Sequence, residues 1–306
     1  MVDTSRPTDS APVASGPFSK LPTQFGRYRV DKLLGKGAMG AVYLAHDMQL
    51  DRPVALKVAR VTTTGSARLI QRMELEAKAA GKIDHPLICK VYDFGEIDGI
   101  HFIALQYIEG EELRSYLKRM GKRLEPTEAI NLTLQIARAL NAAHGKGIIH
   151  RDLKPENVML NGNGEPVIMD FGLARRMTGA TNAGLTQGMI LGTAAYMSPE
   201  QAVGKAEGID HRSDLYALGV MLFEMLTGEW PFSGSSIEVM GRKYVQEAPS
   251  PLSLNADIPP QLAAVCHKMV AQKKEDRYAD CAELIEALET VDLNSSEEPE
   301  SSSPYF

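Results

Sequence analysis

Two segments of the sequence bring carboxylate, amide and ammonium groups close together. Residues 150–157 include Asp152, Lys154 and Asn157, and Asp170 follows in a second segment. Phosphoryl transfer from ATP needs oxygens that bind Mg²⁺, a carboxylate that accepts the proton of the attacking hydroxyl, and cations that neutralise the moving charge. The segments therefore predict a phosphoryl-transfer site with Asn157 and Asp170 as metal ligands. Asp152 is the predicted proton acceptor, and Lys154 is predicted to contact the transferring phosphate.

A glycine-rich turn lies upstream of these segments. Residues 35–40 read Gly-Lys-Gly-Ala-Met-Gly, and glycines without Cβ atoms let backbone N–H groups approach phosphate oxygens closely. In dinucleotide-binding proteins such glycines open a helix that holds the pyrophosphate. Here Val42, Tyr43 and Leu44 follow, which favours a β-strand. The remaining alternatives are a hairpin that covers a nucleotide and an ordinary glycine-rich hairpin.

A lysine within an apolar strand bears on this choice. Residues 54–57 read Val-Ala-Leu-Lys, and a buried ammonium is unfavourable without an anion beside it. Two anions are available: nucleotide phosphates, and a carboxylate from a helix predicted at residues 67–82. In that helix Glu76 is the best candidate and Glu74 the second. The alternative is an edge-strand lysine whose ammonium reaches water.

The elements that must position these residues form a mainly β half followed by a mainly α half. The predicted strands lie at residues 28–34, 41–45, 54–58, 88–94 and 101–108. Beyond Gly110 helical patterns dominate, and Thr127 is a candidate N-cap for a helix with apolar residues every three or four positions. The apolar run 217–223 is far shorter than the roughly 20 residues that span a bilayer, so it predicts a buried helix.

Composition excludes several protein classes. The 306 residues carry 33 Lys+Arg and 39 Asp+Glu, a formal net charge of −6, and 44% are hydrophobic. This is the composition of a globular protein, and its acidic balance argues against a nucleic-acid partner. Three cysteines without paired spacing predict no disulfide framework and fit a reducing compartment. We expect neither a secretory signal nor a membrane segment within this chain.

The two ends differ in composition from the middle of the chain. Residues 1–26 are rich in Ser, Thr and Pro and are predicted to form a disordered leader. Residues 291–306 are predicted to form an acidic, Ser-rich tail. Between them, residues 27–290 are expected to form one two-lobed domain, with lobes at about 27–108 and 109–290.

These motifs together resemble those of Ser/Thr protein kinases, most closely the bacterial eukaryotic-like (Hanks-type) class, over roughly residues 28–288. The resemblance implies an α+β fold with a small antiparallel β N-lobe, one key helix and a larger, mainly helical C-lobe. It implies transfer of the ATP γ-phosphoryl group to Ser/Thr hydroxyls of proteins, including the kinase itself, in bacterial signalling. ATP and Mg²⁺, with Mn²⁺ as a substitute, are the implied cofactors.

The resemblance also assigns nucleotide-binding residues. Lys57 is expected to bind the α- and β-phosphates and to pair with Glu76. The carbonyl of Gln106 and the N–H of Ile108 are expected to contact the adenine edge. The other expected residues belong to the covering loop, the walls around adenine and a ribose contact: Leu34, Gly35, Lys36, Gly37, Ala38, Met39, Gly40, Ala41 and Val42, then Ala55 and Met159, then Glu112.

Substrate preference and control follow from the same resemblance. Lys154 together with Thr193 marks specificity for Ser/Thr, and the segment that ends at Glu200 is expected to form a platform for the acceptor peptide. Glu200 is expected to pair with Arg277.

Arg151 is expected to contact a phosphorylated residue of the activation segment through charge-assisted hydrogen bonds. The candidates are Thr178, Thr181 and Thr186, and Thr186 is favoured because its surroundings resemble the bacterial autophosphorylation site.

The expected partners are protein substrates and, as a hypothesis, a second copy bound through the N-lobe for trans-autophosphorylation. The expected location is the cytoplasm, either as this chain or as the kinase domain of a longer protein. Two rival functions are a pseudokinase scaffold and a dinucleotide-dependent enzyme. Loss of Lys57, Asp152, Asn157 or Asp170 would favour the scaffold, and all four are present. The dinucleotide enzyme conflicts with the strand predicted after the glycines.

Overall fold

The computed structural model describes residues 21–37, 40–59, 66–121, 123–171, 191–203 and 208–293. Within them, a six-stranded antiparallel sheet and one helix form the N-lobe, and helices with a three-stranded sheet form the C-lobe. The predicted α+β architecture of two lobes is confirmed.

The described strands are β1 (Gln24–Phe25), β2 (Tyr28–Gly37), β3 (Gly40–Asp47), β4 (Arg52–Ala59), β5 (Val91–Ile97), β6 (Ile100–Gln106), β7 (Gly110–Glu112), β8 (Val158–Asn161) and β9 (Pro166–Ile168). The described α-helices are α1 (Ser66–Ala80), α2 (Leu113–Arg119), α3 (Pro126–His144), α4 (Leu191–Tyr196), α5 (Pro199–Ala202), α6 (Arg212–Thr227), α7 (Ser236–Val245), α8 (Pro260–Met269) and α9 (Cys281–Glu289). The large sheet has the order β1-β2-β3-β4-β6-β5, and the small sheet β7-β8-β9.

The N-lobe sheet has two different faces because side chains alternate along each strand. Val54 and Leu56 are fully buried and pack with Phe102 in an upper core. Ala55 and Lys57 lie on the other face of β4 and are only partly buried. This second face therefore carries the lysine singled out from the sequence.

Helix α6 forms the centre of the C-lobe. Every residue from Ser213 to Thr227 is buried, and the helix ends at Gly228, whose φ of 78° is left-handed. A helix that is apolar all round belongs in a protein interior. The buried helix predicted from residues 217–223 is confirmed.

A close helix–helix contact makes Gly219 of α6 sensitive to substitution. A Cβ atom at this position would lie 2.6 Å from the Met269 Cβ and 3.0 Å from the Val270 Cγ1. We expect Gly219→Ala to lower the free energy of unfolding by about 1–3 kcal/mol, because a packed interface must move apart. Urea unfolding measures the change. Gly241→Ala in α7 is the matched control, because no atom lies within 4 Å of its Cβ position; equal destabilisation of both variants would contradict the expectation.

Several predicted boundaries differ from the structure. Helix α3 begins at Pro126 and its N-cap is Glu125, so the assignment of Thr127 as cap is wrong. Proline has a helical φ and no N–H, which suits the first turn and places the start earlier. Strand β5 begins at Val91 rather than residue 88, because Ile88 instead bridges to Ile168.

Described structure extends into both segments that were predicted as leader and tail. Phe25 is buried in the upper core and pairs through β1 with β2, so ordered structure begins before residue 27. Val291 and Leu293 pack against the main core of the C-lobe. Isolated apolar residues in polar segments were overlooked in both cases. Across the described part of the chain, no helix combines the length and apolar character needed to cross a membrane.

Candidate active site

The small C-lobe sheet brings the two chemistry-bearing segments together. A short 3-10 turn, Pro155–Asn157, leads into β8, and β8 pairs with β9 so that Val158 lies opposite Ile168. The Met169 N–H donates to the Asn157 carbonyl at 2.9 Å. Asn157 and Asp170 therefore lie at the same end of a hairpin.

The polar side chains after residue 150 form one cluster. The Asn157 Nδ2 donates to the main-chain carbonyl of Asp152 at 2.7 Å and to its Oδ2 at 3.3 Å. The Lys154 Nζ lies 3.3 Å from the same Oδ2 and donates to the Thr193 Oγ1 at 3.2 Å. Four residues predicted from the sequence, three from one segment and Thr193 from another, are thus in contact.

Lys57 lies between two carboxylates. Its Nζ is 2.7 Å from the Asp170 Oδ1 and 3.5 Å from the Glu76 Oε2. Burial would lower the pKa of Lys57, but the charges and hydrogen bonds of Asp170 and Glu76 outweigh it and raise that pKa. Glu74, the second candidate, pairs instead with Lys78. The expected contact between Lys57 and Glu76 is present.

Two active-site residues have left-handed backbone conformations, Arg151 with φ 66° and Asp170 with φ 52°. Such conformations persist only where surrounding contacts hold them. The buried carboxylate of Asp214 in α6 accepts from the His150 N–H at 2.7 Å and the Arg151 N–H at 2.8 Å. The His144 Nε2 lies 2.8 Å from the same carboxylate. Asp214 of α6 therefore anchors the loop of residues 150–157, here called the catalytic loop.

Packing around Phe171 fixes the direction of the neighbouring Asp170. Phe171 is buried, and its ring centroid lies 4.9 Å from that of His150. The His150 Nε2 is 2.9 Å from the Met169 carbonyl on the other side of Asp170. Both neighbours of Asp170 are therefore held by one histidine.

The β2–β3 hairpin belongs to the N-lobe and borders the cleft between the two lobes, where Lys57 meets Asp170. Gly37 pairs with Gly40, whose φ of 151° favours glycine, while Ala38 and Met39 lie outside the described residues. No atom of the described protein lies within 4 Å of the Cβ position of Gly35 or Gly37. Packing against other described atoms therefore does not explain why positions 35 and 37 are glycines.

Other expected nucleotide-binding residues are divided between the lobes. Val42 lies opposite Lys57 in the strand register and shares its face with Ala55. Met159 on β8 packs against a small cluster that contains Ile108. The Ala41 side chain lies on the opposite face, buried in the upper core, so any contribution of Ala41 to the covering loop comes from its backbone.

The remaining expected nucleotide-binding residues are exposed or lie at the hinge, the connection between β6 of the N-lobe and β7 of the C-lobe. Leu34, Lys36 and Glu112 are exposed, and Glu112 precedes α2 as its N-cap without a side-chain hydrogen bond. Gln106 ends β6, and its N–H donates to the Lys90 carbonyl at 2.8 Å.

A partly buried arginine was missed by the sequence reasoning. Arg114 in α2 donates to Glu156 at 2.9 Å, to Glu224 at 2.6 Å and to the Tyr196 hydroxyl. It therefore joins the catalytic loop, α6 and the segment after Thr193. Nothing in the spacing of these residues signals the contact, because all three partners are distant from Arg114 in sequence.

The expected ion pair between Glu200 and Arg277 is present. Two hydrogen bonds of 2.8 Å and 2.9 Å join the guanidinium to the carboxylate, and Ser213 donates to the same carboxylate at 2.7 Å. The pair fixes the end of the segment that contains Thr193. Thr178, Thr181 and Thr186, the candidate phosphorylation sites, lie outside the described residues.

Comparison with known families gives a match over residues 28–289 to the family described as "Protein kinase domain". The chain belongs to the protein kinase family. This kinase is 40% identical to the serine/threonine-protein kinase PknB of Mycolicibacterium smegmatis over 263 residues, 84% of this chain and 42% of that protein. It is 39% identical to PrkC of Bacillus subtilis over 263 residues, 86% of this chain and 40% of that protein.

A solved structure shows the same fold. The kinase resembles the crystal structure of the Mycobacterium tuberculosis PknI kinase domain with a TM-score of 0.67 and 27% identity, covering 87% of this chain and 96% of that chain. The comparisons confirm the expected class, a bacterial Hanks-type Ser/Thr protein kinase. The chain spans less than half the length of the curated relatives PknB and PrkC.

Proposed function

We propose that this kinase transfers the γ-phosphoryl group of ATP to Ser and Thr hydroxyls of cytoplasmic proteins in a bacterial signalling pathway, and to its own chain. One observation supports this most directly. The Lys154 Nζ lies between the Asp152 Oδ2, at 3.3 Å, and the Thr193 Oγ1, at 3.2 Å. A carboxylate, a cation and a hydroxyl at this spacing suit an acceptor hydroxyl beside a transferring phosphate.

ATP with Mg²⁺ fits the residues present. Asn157 uses its Nδ2 to donate to Asp152, which leaves its amide oxygen as the atom to bind a cation. The Asp170 carboxylate is the second proposed ligand, and oxygen ligands of this kind suit Mg²⁺ and also Mn²⁺. The space beside Gly35 and Gly37 suits phosphates near backbone N–H groups. Bound Mg²⁺ would neutralise charge on the phosphate oxygens.

Each protein group has a proposed task. Asp152 accepts the proton of the acceptor hydroxyl, and Lys154 stabilises the negative charge of the transferring group. Thr193 orients the Lys154 ammonium. Lys57, held by Glu76, contacts the α- and β-phosphates.

Incubation of the purified protein with labelled ATP and Mg²⁺, alone and with a generic basic protein, tests the proposal. Phosphate on Ser or Thr, located by mass spectrometry, is the expected result. A protein that binds ATP but transfers no phosphate, with or without acceptor, would support the scaffold function instead. Asp152→Asn serves as the inactive control.

We expect Asp170→Asn to reduce kcat by about 100-fold or more and to shift half-saturation to higher Mg²⁺ concentration, because a metal-binding charge is lost. Asparagine adopts the left-handed conformation as readily as aspartate, so the backbone is retained. Initial rates measured across MgCl₂ concentrations check this. Asp98→Asn is the matched control, because Asp98 is an exposed turn residue with φ 51°. A wild-type Mg²⁺ dependence in Asp170→Asn would contradict the assignment.

Control by phosphorylation is a further part of the proposal. Arg151 would bind the phosphate group of a phosphorylated threonine in the activation segment. Thr186 is favoured over Thr178 and Thr181 as that threonine. A transient homodimer would allow one copy to phosphorylate the other. If so, the autophosphorylation rate per molecule rises with protein concentration, whereas a rate independent of concentration would indicate transfer within one chain.

A further inference from the structure

A lysine buried in the C-lobe has no role in the chemistry proposed so far. Lys243 lies in α7 with only 1% of its surface exposed. Its Nζ donates to three main-chain carbonyls, those of Ala194 at 3.0 Å, Met197 at 2.7 Å and Ala195. Among the described residues, no carboxylate lies within ion-pair distance of Lys243. Three carbonyl oxygens therefore take the place of a counter-ion.

These carbonyls belong to the end of α4, Leu191–Tyr196, and the residue that follows it. The last carbonyls of a helix lack intrahelical partners, and a cation at this end is favourable. An ammonium group has three N–H donors, and three carbonyl oxygens accept from it here. Lys243 thus caps the C-terminus of α4 from a different helix.

The charges around Lys243 act in opposite directions. Burial lowers the pKa of Lys243 well below its usual range, the guanidinium of Arg277 adds to this, and the carboxylate of Glu200 opposes it. The ring of Tyr216 lies beside the ammonium, with its centroid 5.1 Å from Nζ. The three carbonyls favour the charged form, because a neutral amine would leave one of them without a donor.

The capped helix contains a residue of the active site. Thr193 lies within α4, and its Oγ1 accepts from the Lys154 Nζ. Ala194 and Ala195 are fully buried, so this part of the segment is packed into the protein interior. The position of Thr193 therefore depends on how the carbonyls beside it are held.

We propose that Lys243 is a positioning residue for the protein substrate: it holds the segment of residues 193–197 by three carbonyls and thereby fixes the contact between Thr193 and Lys154. Lys243 contacts neither ATP nor the reacting hydroxyl, and its effect is confined to the acceptor side of the cleft. This inference rests on the proposed function as a protein kinase.

A graded pair of variants tests the proposal. Lys243→Gln retains two N–H donors, and Lys243→Met retains none. We expect kcat/KM for an acceptor peptide to fall about tenfold in Lys243→Gln, which loses one donor, and about 1,000-fold in Lys243→Met, which loses three, since each lost charge-assisted hydrogen bond corresponds to about a tenfold change. The KM for ATP should stay within about twofold of wild type, because the N-lobe and hinge are not involved.

Backbone hydrogen exchange gives a readout that does not need activity. We expect amides of residues 191–203 to exchange faster in both Lys243 variants, with unchanged exchange in β2–β4. Lys268→Met is the matched control, because Lys268 on α8 is half exposed and pairs with Glu283 at 2.9 Å. Thermal unfolding and ATP-binding stoichiometry establish whether each variant is folded. If Lys243→Met does not fold, the comparison of Lys243→Gln with wild type tests the proposal.

The outcomes separate this inference from the function on which it rests. Folded Lys243 variants with wild-type kcat/KM for the peptide, or with equal losses for peptide and ATP, would overturn the role of Lys243. A wild-type protein that binds ATP but phosphorylates no peptide would refute the proposed function, and the substrate role with it. Hydrogen exchange would then still show whether Lys243 holds residues 193–197.

Discussion

Replacing Asp152 by asparagine is expected to lower kcat by about 10²–10⁴-fold while leaving the affinity for ATP unchanged, because a positioned general base contributes a factor of this size. The substitution preserves shape. The main-chain carbonyl of Asp152 still accepts from the Asn157 Nδ2, and an asparagine side chain still offers one oxygen to Lys154. The substitution removes the negative charge of the carboxylate and with it the ability to take up a proton. Single-turnover transfer to a peptide measures the chemical step, and nucleotide titration measures binding.

The control for Asp152→Asn is Asp98→Asn, which makes the same chemical change in an exposed turn. Both variants should bind ATP like wild type, and only Asp152→Asn should lose transfer. Retention of more than about a tenth of the wild-type rate would mean that Asp152 is not the proton acceptor, since loss of a general base changes rates by at least 10²-fold.

Arg277→Met is expected to lower the free energy of unfolding by about 3–5 kcal/mol, because removal of one partner leaves a buried charge uncompensated. The Arg277 side chain is fully buried, and Glu200 is 14% exposed. The guanidinium also donates to the carbonyls of Ala271, Gln272 and Arg212, which would lose their donors. Urea unfolding measures this loss of stability, provided that wild type and Arg277→Met have the same m-value.

Arg138→Met is the matched control for Arg277→Met. Arg138 forms an ion pair with Glu289 at 2.7 Å, but both side chains are about half exposed. Surface pairs of this kind contribute about 0–1 kcal/mol, so this variant should be nearly as stable as wild type. Similar losses in the free energy of unfolding in both variants would show that burial of the Arg277–Glu200 pair does not increase its contribution to stability.

The same pair predicts a pH dependence of stability. Burial alone would raise the pKa of Glu200, but the hydrogen bonds and charge of Arg277 outweigh burial and hold that pKa below its usual range. A carboxylate with a lowered folded-state pKa stabilises the protein above its unfolded pKa of about 4.3, and this contribution disappears as pH falls through the folded value. The stability difference between wild type and Glu200→Gln should therefore be largest at neutral pH and shrink below about pH 4.

Residues close in sequence were predicted well. Asp152, Lys154 and Asn157 lie within one segment, so a single loop conformation brings them into contact. The strand that contains Lys57 was evident from its apolar neighbours, and the need of a buried ammonium for an anion indicated Glu76. Local pattern and simple electrostatics were sufficient for these features.

Other contacts depend on how distant elements meet, and local pattern does not specify this. Arg114 joins Glu156 and Glu224 across two helices and a loop. Lys243 has the sequence context of an ordinary surface helix lysine, and only packing of α7 on the segment after Thr193 buries it. The cap of α3 was misplaced for a local reason, because proline at its first position outweighs the capping preference of Thr127.

Helix α6 makes the active site and the C-lobe a single cooperative unit. Asp214 near its start holds the catalytic loop, Ser213 binds Glu200, and Glu224 near its end binds Arg114 and Tyr196. Because α6 is buried on every side, it cannot move out of place unless the hydrophobic core around it unfolds. Displacement of α6, and with it the loss of the Asp214 contacts to the catalytic loop, therefore requires the C-lobe core to unfold as well. Alignment for catalysis and thermodynamic stability are, in this protein, properties of the same folding unit.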